Sequence, residues 1–235
     1  MAVRFDLETD AYTKTVGIPG TTYTYTFWFY IPVYRSFWSG IVDVGPVSGV
    51  WQYFGIDAYD ANIIFAWSAN PHINLAPSAL GVWFRGAVVR NGTALTAYAG
   101  QVQNALSSNT GTINGLTPEK LSIGRAVNNN EWFNGRVAAF KLWDAAFTTP
   151  EVENELGQYQ PRRTTNLLAF HPFIGTELTD YSGGGYDLTA SSTSTVIEDG
   201  PPIPWSLSSP RLIIPSPLPS LTPVNPSGAF FPFFP

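Results

Sequence analysis

Leu121–Leu156, LSIGRAVNNNEWFNGRVAAFKLWDAAFTTPEVENEL, decides the fold. Leu121-Ser122-Ile123-Gly124 alternates apolar and small residues, as a half-buried strand does. Arg125 to Glu131 is polar and Asn-rich, which predicts an exposed loop. Asn134-Gly135 punctuates the chain. Arg136 to Trp143 then reads as a second strand, with Val137, Ala139, Lys141 and Trp143 on one face and Ala138, Phe140 and Leu142 on the other. The second face is wholly apolar, so the pattern predicts burial chiefly on one side. Thr148-Thr149-Pro150-Glu151 opens a helix: a hydroxyl cap from either threonine, Pro in the first turn, and Glu151 three residues after Thr148 for a capping box. Glu151 to Gln158 is the one helix expected.

Outward from this block the chain is β-prone. Tyr23 to Ile31, YTYTFWFYI, is the strongest strand, because aromatic residues and Thr suit a pleated surface. Ser39 to Val44, Trp51 to Ile56 and Asn62 to Trp67 follow, and a short alternating strand stands at the N-terminus. Leu80 to Val89 and Thr93 to Tyr98 flank Asn91-Gly92, a hairpin signal for a type I′ turn. Asn166 to Phe173 leads into Asp180-Tyr181-Ser182-Gly183-Gly184-Gly185, where the glycines permit a tight turn and Asp180 can accept from the turn's own amides.

These motifs resemble the laminin G-like and pentraxin-like lectin domains of the concanavalin A-like superfamily. The resemblance rests on Ile123-Gly124, Phe133-Asn134-Gly135, Trp143-Asp144 and the helix Glu151 to Leu156. A second block is Trp83 with Val88-Val89-Arg90-Asn91-Gly92 and the returning strand to Tyr98. A third is Leu167 to Phe173 with Asp180 to Thr189. It covers residues 1–199 and implies an all-β, antiparallel β-sandwich jelly roll, with Tyr23 to Ile31 running through its centre. Such sandwiches host lectins, enzymes, adhesins and structural modules alike.

Composition sets limits. Charged residues make up 12% of the chain against about 25% in ordinary domains, so the surface is unusually neutral. Net charge is −5 and the basic residues do not cluster, which argues against nucleic acid as a partner. No window is long and apolar enough for a membrane-spanning helix. The N-terminus carries no apolar signal core, and Cys is absent, so synthesis in a cytosol is the expectation.

Residues 200–235 differ from the rest. They hold eleven of the twenty prolines and one charge, Arg211. Proline at this density denies helix and central strand, so an extended arm is expected, reaching ~110 Å if stretched. Trp205, Leu212, Ile213, Ile214, Phe230, Phe231, Phe233 and Phe234 make it apolar. Each such side chain gains roughly 1.5–3 kcal/mol on burial. The arm is therefore predicted to dock on neighbouring subunits of a homo-oligomer or larger assembly.

Chemistry is sparse. The superfamily's glucanases carry Glu-x-Asp-x-Glu on a strand, which would set two carboxylates on one face. Glu151-Val152-Glu153-Asn154-Glu155 is the nearest match, but it follows Pro150 in a helix, where it reads as solvated acidic residues at an N-terminus. His72 is placed in a loop after Pro71, and His171 in an apolar strand as a packed imidazole. Neither belongs to a nucleophile elbow. No catalytic residue is assigned and no enzyme is expected.

The resemblance implies carbohydrate binding, with calcium at the rim as an alternative. Calcium would need oxygens such as Asp57, Asp60 and Asn62, or the Asn128 to Glu131 cluster; Asp57 to Asp60 otherwise reads as a turn. For sugar the candidates are Trp132, Asn128, Asn130, Glu131 and Tyr59, with Trp51 and Tyr53 as further aromatics. Asn91-Gly92-Thr93 matches a glycosylation sequon but reads as a turn. The combination predicts a non-enzymatic module of a large assembly: a bacteriophage virion protein, made in the host cytoplasm, decorating a capsid or forming a head or tail fibre. The alternative is an extracellular or cell-surface lectin or adhesin that binds glycans.

Overall fold

A computed structural model describes residues 1–202 except 7–8, 16–18, 36–37, 47–51, 58, 68–69, 103, 114–116, 127–130, 174–177 and 192–195; the side chains of 67, 70, 71, 196 and 197 are also outside the description. The strands are β1 (Ala2–Phe5), β2 (Tyr12–Lys14), β3 (Thr22–Tyr30), β4 (Ser39–Gly45), β5 (Gln52–Ile56), β6 (Asn62–Trp67), β7 (Asn70–Pro77), β8 (Trp83–Asn91), β9 (Ala94–Gln101), β10 (Ser107–Thr112), β11 (Lys120–Ile123), β12 (Gly135–Trp143), β13 (Leu167–His171), β14 (Thr189–Ala190) and β15 (Val196–Glu198). The helix is α1 (Thr149–Leu156).

Among the described residues the strands form two antiparallel sheets. One runs β10-β9-β8-β3-β12-β1-β15, with β13 also paired to β12; the other runs β14-β2-β11-β4-β5-β6-β7. The expected β-sandwich jelly roll is the observed fold. β3 stands mid-sheet between β8 and β12. Its alternate residues Tyr23, Tyr25, Phe27 and Phe29 all face the core, and Phe27 and Phe29 meet Phe54 of the other sheet edge-on at 5.0 and 5.7 Å. Each ring so buried contributes roughly 1.5–3 kcal/mol.

β12 departs from simple alternation. Its register against β3 shifts between Ala138 and Lys141, and Ala139 has φ 48°. This irregularity puts Val137, Phe140 and Leu142 together in the core. Ala138, Lys141 and Trp143 face the other side and are buried as well, at 0–1% exposure. The one-sided burial expected from the sequence is thus corrected: α1 covers this outer face, with Val152 and Leu156 packed beside Trp143. The cap is Thr148, whose N–H and hydroxyl both donate to Glu151 Oε2, at 2.8 and 2.9 Å.

The β8–β9 hairpin forms, with a different turn from the one expected. Asn91 pairs with Ala94, so Gly92 and Thr93 are the central residues. Only Gly92 has positive φ, at 65°, as a II′ turn with glycine leading requires. Two motif glycines have spatial reasons. Gly124 sits at φ 90°, and a Cβ there would strike the Phe5 ring; at Gly135 a Cβ would strike Phe133 and the Tyr30 carbonyl. Asp180 behaves as predicted, accepting from the amides of Phe170 (2.9 Å), Ser182 (2.8 Å) and Tyr186 (3.0 Å). The expected arm residues Trp205, Leu212, Ile213, Ile214, Phe230, Phe231, Phe233 and Phe234 lie outside the described residues.

Candidate functional site

β3, β5, β7 and β11 end at the same end of the sandwich where β4, β6, β8 and β12 begin, because each is antiparallel to its neighbour. Their connections meet there. The β5–β6 turn carries Asp57, Tyr59, Asp60 and Asn62. Asp57 Oδ1 accepts the Tyr59 amide at 2.7 Å, and Asp60 accepts the Asn62 amide at 3.0 Å and its side-chain amide at 2.7 Å. Asp57 N–H donates to the Asn62 carbonyl at 2.9 Å. The turn reading therefore holds: both carboxylates hold the turn closed. Among the described residues no group of three His, Cys, Asp or Glu stands close enough to hold a metal ion.

This geometry lifts Tyr59 away from the body, at 89% exposure. Behind it, His72 Nε2 reaches Asp57 Oδ2 at 3.1 Å. His72 is on β7, not in the loop expected from Pro71. Trp38 stands edge-on to both His72 (5.2 Å) and Tyr59 (6.5 Å). Asp57, His72, Trp38 and Tyr59 so form a closed ring of contacts that fixes the base of the exposed tyrosine.

Beside Tyr59 lies a cleft of ≈ 80 Å³, lined by Tyr34, Arg35, Ser39, Asp57 and Asn134 among others. Most enclosed ligand pockets are ~300–1,000 Å³. A cleft this small holds one edge of a ligand and leaves the rest on the surface. Tyr34 is held from behind by Ser78, whose Oγ meets its hydroxyl at 3.0 Å.

The sequence candidates separate here. Tyr59, Asp57, Asp60 and Asn62 come together on one turn. Trp132 is half-buried, and the Arg35 guanidinium lies over its ring, so one face is already occupied. Tyr53 is fully buried, which corrects its candidacy as a stacking ring. Burial first, then the adjacent Glu131 carboxylate, pushes the Tyr53 phenol far above its ordinary value, so Glu131 is engaged with β5. Asn128, Asn130 and Trp51 lie outside the described residues. Tyr34, Arg35, Trp38, His72 and Asn134 were not foreseen. The available signal was the stretch Pro32 to Trp38, whose aromatic residues sit in a connection between two strong strands.

A family model described as the concanavalin A-like lectin/glucanases superfamily matches residues 7–153. The chain belongs to that superfamily. Among solved structures it is similar to a candidate carbohydrate-binding protein from Bacteroides ovatus: 14% identity, TM-score 0.61, covering 85% of this chain and 60% of that one. The chain thus spans about three fifths of that protein's length. It is also similar to a heptameric pentraxin from Limulus polyphemus (16% identity, TM-score 0.48, 64% of this chain and 79% of that one). The LG4-5 domains of mouse laminin alpha1 compare at 12% identity and TM-score 0.46, over 63% and 44% of the two chains. No curated protein matches the chain.

Because the superfamily joins lectins to glucanases, the carboxylate run Glu151 to Glu155 bears on activity. It lies in α1 as expected. Glu151 caps the helix and pairs with Arg163 at 2.8 Å, and the Thr148 backbone and hydroxyl hydrogen bonds hold its carboxyl below the usual range. Glu155 is buried at 2% exposure, not solvated as the sequence suggested. It accepts the Arg162 amide at 3.0 Å and the Arg163 amide at 2.6 Å, beside Lys141 Nζ at 3.4 Å. Glu155 thus ties α1 to β12 through Lys141, while Glu151 serves the helix cap and Arg163.

Proposed function

We propose that this chain is a carbohydrate-binding module without hydrolytic activity, and that a glycan seats against Tyr59 at the rim cleft. The observation that carries this reading is the pairing of one exposed, rigidly based tyrosine with a small cleft of mixed polar and apolar lining. Tyr59 offers an apolar ring face. Asp57, Asn134, Arg35 and Ser39 offer acceptors and donors for ring hydroxyls. The Bacteroides ovatus protein, similar in fold and a candidate carbohydrate binder by its own description, supports the same class. Binding of the full chain to an array of neutral and acidic glycans tests it. Tyr59→Ala is expected to weaken the best glycan roughly tenfold, the scale of losing one stacked ring. Equal binding by the wild-type chain and this variant would sink the assignment.

A second reading concerns assembly and rests on residues 200–235. Their eleven prolines and single charge make a segment that water solvates poorly. In this reading the arm attaches the module to neighbouring subunits of a bacteriophage particle, and the rim faces outward to glycans. Electron microscopy of the native source checks it, and a chain found free of any particle speaks against it.

A further inference from the structure

Four adjacent strands carry one continuous row. Trp83 on β8 stands opposite Tyr30 on β3, Tyr30 opposite Arg136 on β12, and Arg136 opposite Arg4 on β1. Their neighbours Phe84, Phe29, Val137 and Val3 face the core, so all four residues point outward. With strands about 4.8 Å apart, the row is roughly 14 Å long. The Trp83 and Tyr30 rings are 5.5 Å apart, and the Arg136 guanidinium lies 4.6 Å from the Tyr30 ring centre. Glu198 on β15 accepts from Arg4 Nη1 at 2.9 Å and forms an ion pair with Arg136 Nε. Arg4 also pairs with Asp6 at 3.4 Å. A hollow of ≈ 450 Å³, bounded in part by Arg136, Glu198 and Asp199, opens beside the row.

We propose that this row is a second carbohydrate platform, separate from the rim cleft, for a neutral oligosaccharide lying across the strands. It rests on the carbohydrate-binding reading in taking a glycan as the ligand class. The chemistry selects neutral over acidic sugar. Two guanidinium groups face Glu198 and Asp6, and Asp199 adds a further carboxylate beside the hollow, so the row has no excess positive charge to attract an anion, and an acidic group must compete with Glu198 and Asp6 for the same donors. A polyol meets both needs: its hydroxyls donate to Glu198 and accept from guanidinium N–H groups not engaged by it. Trp83, half-buried against the outer-face cluster that includes Trp28 and Ala138, supplies the apolar ring surface it leaves exposed. The hollow is shallow and open to solvent, which suits a chain of sugars lying on the surface rather than one enclosed ring.

The test is calorimetric titration of the full chain with cellotriose, maltotriose and xylotriose, and with trigalacturonic acid as the acidic counterpart. Trp83→Ala, Arg4→Gln and Tyr59→Ala are compared with the wild-type chain, each with its melting temperature. At least one neutral trisaccharide is expected to bind, with affinity at the platform falling roughly tenfold in Trp83→Ala and in Arg4→Gln and unchanged in Tyr59→Ala. Arg4 is partly exposed, so its replacement reads the platform even where Trp83→Ala lowers stability. If only Tyr59→Ala weakens binding, the rim site stands and the platform is overturned. If only the row variants weaken it, the platform stands and the rim reading fails. Preference for trigalacturonic acid, or no binding at millimolar trisaccharide, overturns the platform.

Discussion

Protonating His171 would charge an imidazole stacked 5.9 Å from Phe173, tilted 6.3 Å from Phe140 and only 1% exposed. Burial therefore lowers it to about 4, although the Asp180 carboxylate opposes the change. Burial alone would raise Asp180 itself, but hydrogen bonds from the Phe170, Ser182 and Tyr186 amides and the Ser182 hydroxyl hold it below its usual value. Between pH 6.5 and 4 the unfolded chain takes up a proton at His171 that the folded chain refuses. The unfolded state then binds more protons, so stability falls as pH drops through this window, by about 3 kcal/mol at its foot. Urea melts at pH 7, 5.5 and 4 check this. His171→Phe should flatten the curve there, and an unchanged slope would count against the imidazole as its source.

At the scale of elements, the decisive joint is between β12 and α1. Lys141 Nζ donates to the carbonyls of Glu155 at 2.8 Å and Gln158 at 2.7 Å and stands beside the Glu155 carboxylate. Burial lowers Lys141 to about 8 despite that partner. The irregularity at Ala139 sends Lys141 to this side, so bulge and clamp form one arrangement. Removing one member of a buried charged pair typically costs about 3–5 kcal/mol, because the other is left without its counter-charge. Lys141→Met is expected to lose that much in chemical denaturation, and Lys141→Met/Glu155→Gln to recover part of it. A double variant no more stable than the single would rule out pair coupling.

For the whole molecule, the question is whether the sandwich stands without residues 203–235. β15 ends at Glu198 and is already paired with β1. Deleting 203–235 should therefore leave a soluble sandwich whose melting temperature stays within a few degrees of the full chain. Assembly should be lost, because the apolar groups proposed to bind neighbours are gone. Light scattering of both chains at equal concentration checks it; identical masses would refute an assembly role for this segment. Glycan binding at Tyr59 should survive the deletion, which separates the two proposed functions.

The sequence by itself determined the superfamily and most of the long strands, while β7, β10, β14 and β15 were not legible in it. Period-two patterning, turn glycines and the Thr148–Glu151 cap are local, and local rules read them: Asn62–Trp67 is β6 as expected, and Asp180 closes its own turn. It also put Asp57 to Asp60 in a turn, and Tyr59 among the candidates. Only the tertiary structure decided what the loops do together. Tyr34, Arg35 and Trp38 come from the β3–β4 connection, His72 from β7 and Asn134 from the β11–β12 connection, and no spacing along the chain encodes that they meet beside Tyr59. The irregularity in β12 and the burial of Glu155 were hidden for the same reason: side-chain alternation shows that a strand has two faces, but what covers the second face is a long-range contact.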